Sequence, residues 1–136
     1  MKSVVGLLLV QCLGAILVRK YQGVSVTGVL KCEQASLSNV LVQLWDYDSF
    51  DPNDLLESVR TDSMGKFTLS GGEYEYGSFN PFIRITHNCN AKPDCDRVNE
   101  FIVPKFAIGE TYNMRIVNLD HFVHGEKEYC FANSTR

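Results

Sequence analysis

The chain has 136 residues, enough for one domain with its own apolar core and too few for two. Its 13 Lys and Arg stand against 16 Asp and Glu, a formal net charge of −3, and no basic cluster interrupts that balance. Nucleic-acid binding and polybasic attachment to anionic lipid both need concentrated positive charge, so the composition speaks against them.

Met1 to Lys20 reads as a secretory signal whose cut falls between residues 15 and 20. Lys2 supplies the positive start, and Val4 to Val18 is almost unbroken apolar sequence. That run is short for a transmembrane helix and no second span follows, so an exported protein is expected rather than an integral membrane protein. Removing Lys2, Arg19 and Lys20 leaves 10 basic against 16 acidic residues, a net charge of −6. The mature domain is expected over residues 21–130, with 131–136 as a short tail.

Gly23 to Lys31 reads as the first strand. Val40, Val42 and Leu44 then alternate with Leu41, Gln43 and Trp45, a half-buried strand over Asn39 to Tyr47. Asp46, Asp48, Asp51, Pro52, Asn53 and Asp54 break it with turn chemistry. Leu55 to Thr61 resumes the extended pattern, and Thr61-Asp62-Ser63-Met64-Gly65 can reverse it. The Asp62 carboxylate suits such a turn, and Gly65 accepts the positive φ that closes it. Lys66 to Leu69 is the return strand, so Val40 to Gly71 is expected to form a meander.

Gly71-Gly72 is read as the start of a polar, aromatic connection holding Tyr74, Tyr76 and Phe79. Pro81 to His87 follows as a strand, with Pro81 tolerable at its first position. Asn88 to Arg97 reads as a cysteine-bearing loop, then Val98 to Val103 and Tyr112 to Leu119 as the last long strands. In the last, Met114, Ile116 and Asn118 oppose Arg115, Val117 and Leu119. Gly125 to Arg136 is read as a loosely held tail except at Cys130, and Asn133-Ser134-Thr135 makes Asn133 the candidate glycosylation site. No segment keeps helical periodicity over three turns. About seven short strands indicate an all-β, two-sheet sandwich.

Cys12 lies in the signal, leaving Cys32, Cys89, Cys95 and Cys130. An even set in an exported domain reads as two structural disulfides. Four cysteines allow three pairings, and spacing alone does not choose among them. If Cys32 opens the second strand and Cys89 closes the strand beside it, Cys32–Cys89 is easy and Cys95–Cys130 is left over. Zinc is the rival, but six positions with Pro93 between separate Cys89 from Cys95, unlike the usual short ligand spacing.

Counted from Asp46, acidic residues fall at loop positions 1, 3, 9 and 12 (Asp46, Asp48, Asp54, Glu57), a partial echo of a calcium loop. Position 5 is Phe50 and position 6 is Asp51 instead of the turn-making Gly, so a solvated connection is expected and no metal is assigned. His87, His121 and His124 read as surface histidines. No Gly-x-Ser-x-Gly elbow, phosphate loop or His-Glu-x-x-His is present, and oxidised cysteines offer no thiol nucleophile, so neither catalysis nor a cofactor is expected. Trp45, Tyr47 and Phe50 form the candidate recognition surface, weighed against a covering role for Trp45 at the sheet.

The ordered pieces Thr27-Gly28-Val29-Leu30-Lys31-Cys32, Val40 to Asp46, Asp51-Pro52-Asn53-Asp54-Leu55-Leu56, Thr61 to Gly71, His87-Asn88-Cys89-Asn90 and Cys130 together resemble the nematode transthyretin-like family of small secreted proteins. The resemblance covers roughly Val24 to Cys130 and implies a prealbumin-like sandwich of about seven to eight strands. It implies a secreted, non-enzymatic binding or adaptor protein engaging an extracellular protein, a lipid or a small hydrophobic ligand, with oligomers through sheet edges open. One role in that family is bridging phosphatidylserine on dying cells to an engulfment receptor. The related hydroxyisourate hydrolases share the architecture and end in a Tyr-Arg-Gly-Ser signature. This chain ends Glu128-Tyr129-Cys130-Phe131-Ala132-Asn133-Ser134-Thr135-Arg136 and lacks it.

Overall fold

The computed structural model describes residues 20–131; the expected signal segment and Asn133 lie outside the described residues. Among the described residues nine strands follow one another: β1 (Lys20–Cys32), β2 (Ala35–Ser36), β3 (Leu41–Asp46), β4 (Asp54–Arg60), β5 (Lys66–Glu75), β6 (Pro81–His87), β7 (Cys95–Ile102), β8 (Thr111–Asn118) and β9 (Lys127–Cys130). A 3-10 turn, Lys105–Ala107, precedes β8. The strands form a β-sandwich. In one sheet β1 pairs β2 and β5 antiparallel and β8 parallel; the other runs β4-β3-β6-β7-β9.

Alternation builds the space between the sheets. Val24, Val26 and Leu30 point inward from β1, Val42 and Leu44 from β3, Phe67 and Leu69 from β5, and Ile83 and Ile85 from β6. Each such side chain contributes about 1.5–3 kcal/mol on burial. Cys32 at the end of β1 is bonded to Cys89 just after β6, so this disulfide joins the two sheets at one end. Cys95 opens β7 and is bonded to Cys130, which closes β9 in the same sheet.

Val40 to Gly71 is not a meander. β3 pairs β4, but β5 pairs β1 in the opposite sheet, so the chain changes sheets at the Thr61–Gly65 turn. The turn chemistry is as expected: Asp62 Oδ1 accepts the amides of Met64 and Lys66, each at 2.9 Å, and Gly65 has φ +79°. Thr61 redirects the strand. Its hydroxyl donates to the Leu37 carbonyl at 2.6 Å and accepts the Val40 amide at 3.0 Å, while the Leu30 amide donates to the Gly65 carbonyl.

Three more expectations are corrected. β5 continues through Gly71 and Gly72 to Glu75, because the backbone there lies against its neighbours. A Cβ on Gly72 would stand 2.4 Å from the Gln22 carbonyl, and one on Gly71 would stand 2.8 Å from Leu56 Cβ. In β8 the alternation breaks at Arg115, whose φ of 59° shifts the register against β1. Met114 therefore packs on the core together with Val117 and Leu119, while Ile116 turns outward. The presumed loose tail is strand β9, in register with β7 from Cys95↔Cys130 to Val98↔Lys127.

Candidate functional site

The outer face of the five-stranded sheet is built from the positions that alternate with the core. Register places Trp45, Phe82 and Ile102 side by side in one rung. The next rung is Gln43, Arg84 and Glu100, and the third is Leu41, Thr86, Val98 and Lys127. Trp45 stacks on Phe82 with ring centroids 6.4 Å apart, and the Arg84 guanidinium lies over Trp45 at 4.7 Å. Arg84 is itself held by Glu100, at 2.7 Å. Trp45 is thus a half-covered member of an aromatic rung, beside Ile102, which is 85% exposed. Tyr47 lines the adjoining groove with Phe82 and Ile102. Phe50 is 96% exposed in the loop between β3 and β4 and does not line that groove. Of the aromatics read as loop residues, Phe79 belongs to the core and Tyr74 sits in β5 against Tyr21.

The acidic loop splits in two. Asp48 Oδ1 accepts the amides of Phe50 and Asp51, and Asn53 Oδ1 accepts the Asp48 amide, so this part is a self-capped turn. Asp46, by contrast, is not solvated. It is the last inward residue of β3, 3% exposed, and accepts the Asn80 amide at 2.8 Å. Side-chain oxygens of Asp46, Asp54 and Glu73 lie within 4.8 Å of one another. Glu57 is elsewhere, accepting the Ser70 amide of β5 at 2.7 Å. Partial burial, with hydrogen bonds to Glu75, Asp46 and Asp54, pushes the Glu73 carboxyl up to about 9, and Glu75 is raised as well. A carboxyl raised this far keeps its proton at neutral pH, which relieves the repulsion among these groups. They are carboxylates placed to hold a cation, but among the described residues no fully buried side-chain oxygen or nitrogen lacks a partner, so no buried group there asks for one.

A second polar centre went unread in the sequence. Arg97 and Asn99 point inward from β7, and His87 is 4% exposed, so it is not a surface histidine. His87 Nδ1 accepts the Cys89 amide at 3.1 Å, which leaves Nε2 to donate to Asn99 Oδ1 at 2.6 Å. Burial lowers the His87 pKa and keeps the ring neutral. All five N–H groups of Arg97 are used: on the carbonyls of Cys89, Leu119 and His121, and twice on Glu126. Sequence reasoning put Arg97 in a loop. The inward series Cys95, Arg97, Asn99, Phe101 at period two was the signal that would have found it. His121 and His124 are exposed beyond β8.

A family model described as the Transthyretin-like family matches residues 27–104. The chain belongs to the transthyretin-like family. It is 44% identical to Transthyretin-like protein 16 of Caenorhabditis elegans over 131 residues, covering 96% of this chain and 99% of that protein. Transthyretin-like protein 46 of the same organism is 31% identical, with 95% and 78% covered. Transthyretin-like protein 33 is 35% identical, with 80% and 82% covered. The match runs from β1 past β7 and so includes the rung of Trp45, Phe82 and Ile102. No helix among the described residues is long and apolar enough to cross a membrane.

Proposed function

We propose that this member of the transthyretin-like family is an exported, non-catalytic binding protein. It presents the outer face of the five-stranded sheet to an extracellular or cell-surface ligand. The observation that carries this reading is the Trp45–Phe82–Ile102 rung, where a half-buried Trp45 and a largely exposed Ile102 flank a buried Phe82 on a sheet whose other face is core. Open apolar strips with a polar surround are what recognition surfaces use. Two disulfides suit an oxidising compartment. The deeply buried polar groups are taken up by structure: His87 and Arg97 are sealed in a hydrogen-bond network, and the Glu73 pKa is raised among neighbouring carboxylates.

Labelled full-length chain, applied to intact cells and extracellular fluid of the source organism, tests the reading. A Trp45→Ala/Ile102→Ser variant with an unchanged circular dichroism spectrum should lose most of the bound signal; equal binding by both proteins would sink the assignment of this face. Bridging of phosphatidylserine to a receptor is a narrower form of the same reading. Liposomes with and without that lipid, each with and without calcium, address it, and no anionic preference in either condition removes it. Saturable turnover of hydroxyisourate would overturn the non-catalytic reading.

A further inference from the structure

A groove of about 450 Å³ follows the face described above, within the volume range that takes one small ligand. Phe82, Ile102 and Val103 supply apolar wall, and Glu100 is the lone carboxylate among the lining residues, against Arg84, Lys105 and Lys127. Glu100 is matched by Arg84 at 2.7 Å. Lys105 donates to the Phe79 carbonyl and to Asn80 Oδ1, neutral acceptors that leave its charge uncancelled. Lys127 has no carboxylate partner among the described residues. The groove therefore carries an excess of two positive charges in a chain whose net charge is −3.

We propose that this groove binds a single-chain amphiphile with an anionic head, specifically a long-chain carboxylate. The head pairs with the Lys127 ammonium. The chain lies along the strands over Phe82 and Ile102, about 13 Å away by the four-residue rise from Val98, beside Lys127, to Ile102. Each feature selects one part of that ligand. The uncancelled ammonium groups favour an anion over a cation or a neutral lipid. The exposed isoleucine beside a buried phenylalanine gains from apolar cover, which a small polar anion does not give. The volume suits one ligand chain and not a folded protein partner. This inference rests on the reading of the sheet face as the recognition surface, and names its ligand.

Trp45 is the one tryptophan of the chain, and its ring stacks on Phe82, so its emission reports on this groove. The full-length chain is titrated with dodecanoate below its micelle concentration, and separately with dodecylphosphocholine and dodecyltrimethylammonium. Trp45 emission is followed, with calorimetry alongside. Saturable one-to-one dodecanoate binding is expected, at least tenfold tighter than either other head group. Lys127→Glu should weaken it at least tenfold, and Ile102→Ser should weaken all three amphiphiles. Both positions are exposed, and an unchanged melting profile separates lost binding from lost fold. Absence of saturation, equal affinity for the three head groups, or indifference to Lys127→Glu each overturns the inference. If dodecanoate fails while Trp45→Ala/Ile102→Ser still abolishes cell-surface binding, the ligand assignment falls and the face stands. If that variant also binds cells normally, the reading of the face falls too.

Discussion

Glu126 grips Arg97 with both carboxylate oxygens, at 2.7 Å to Nε and 2.9 Å to Nη2, and the Arg97 side chain is wholly shielded from solvent. The pair ties the segment after β8 back to β7, since Arg97 also holds the carbonyls of Leu119 and His121. Glu126 Oε1 in turn accepts the Val123 amide at 2.6 Å. One buried cation thus organises the loop that delivers β9, and with it Lys127, to the edge of the sheet.

Removing one partner strands the other as a buried charge, so Glu126→Gln is expected to cost about 3–5 kcal/mol at neutral pH. Arg97 holds the Glu126 carboxyl down to about 2, with burial opposing and the Val123 and Asn99 hydrogen bonds assisting. A depressed carboxylate contributes stability that is present above its ordinary value of 4.5 and lost as pH falls towards 2. Urea unfolding between pH 6 and pH 2 should show that acid limb in the native chain and a smaller one in Glu126→Gln. Equal limbs in the two proteins would deny the pair its role.

Glu73 works with the opposite sign. Its folded value of about 9 lies above the ordinary 4.5, so the folded chain keeps a proton that the unfolded chain releases. Stability from this group is full below 4.5 and declines as pH rises to about 9. Glu73→Gln, which keeps the shape without the titration, should flatten that decline in thermal melts taken from pH 5 to pH 9. A variant melting curve that tracks the native one at every pH would contradict the proton held by Glu73 in the folded chain.

Gly65 tests the sheet-changing turn. Its φ is +79°, and a Cβ there would stand 2.5 Å from the Leu30 carbonyl oxygen. Gly65→Ala combines an unfavourable backbone with a clash against β1, so a loss of more than about 1 kcal/mol is expected in denaturant unfolding. Met64→Ala next door, on an exposed side chain, should be near neutral.

Local chemistry was legible in the chain, and its partners were not. Asp62 and Gly65 announced a reversal, but turn chemistry does not say which sheet receives the returning strand; that is carried by long-range bonds to β1, the ladder and the Leu30 amide to Gly65 carbonyl contact among them. Trp45 was legible as an outer-face residue from alternation alone. Its neighbours Phe82 and Ile102 depend on strand order, which no local pattern carries. The glycines of β5 looked like a connection because glycine is scarce in strands, and only the close approach of Gln22 and Leu56 explains them. Arg97 was missed because a cation among cysteines reads as loop, and its acceptors are mostly carbonyls, which side-chain patterns do not mark. β9 offered four residues, all of them exposed, too few for a periodic signal.

The two disulfides are expected to differ in reactivity. Cys89 is buried at the junction between sheets, whereas Cys130 is exposed at the end of an edge strand. Exchange begins with a thiolate reaching a sulfur, so a mild dithiol should open Cys95–Cys130 before Cys32–Cys89. The loops closed span 35 and 57 residues, and in the chain-entropy model each bond is worth about 4 kcal/mol. Loss of Cys95–Cys130 leaves β9 with no buried side chain of its own, held by its ladder bonds, the Phe131 amide to Asp94 carbonyl contact, the Lys92–Glu128 pair and the Arg97–Glu126 grip just before it, among other contacts. Timed alkylation with peptide mass mapping should find Cys95 and Cys130 labelled first. Hydrogen exchange should then quicken along the β7 edge that faces β9, while the β3–β6 ladder stays protected. Simultaneous labelling of all four cysteines would mean that solvent access at Cys130 does not govern the order. Protected β7 amides after selective opening would mean that the ladder, with the Arg97–Glu126 pair beside it, suffices to hold the strand without the disulfide.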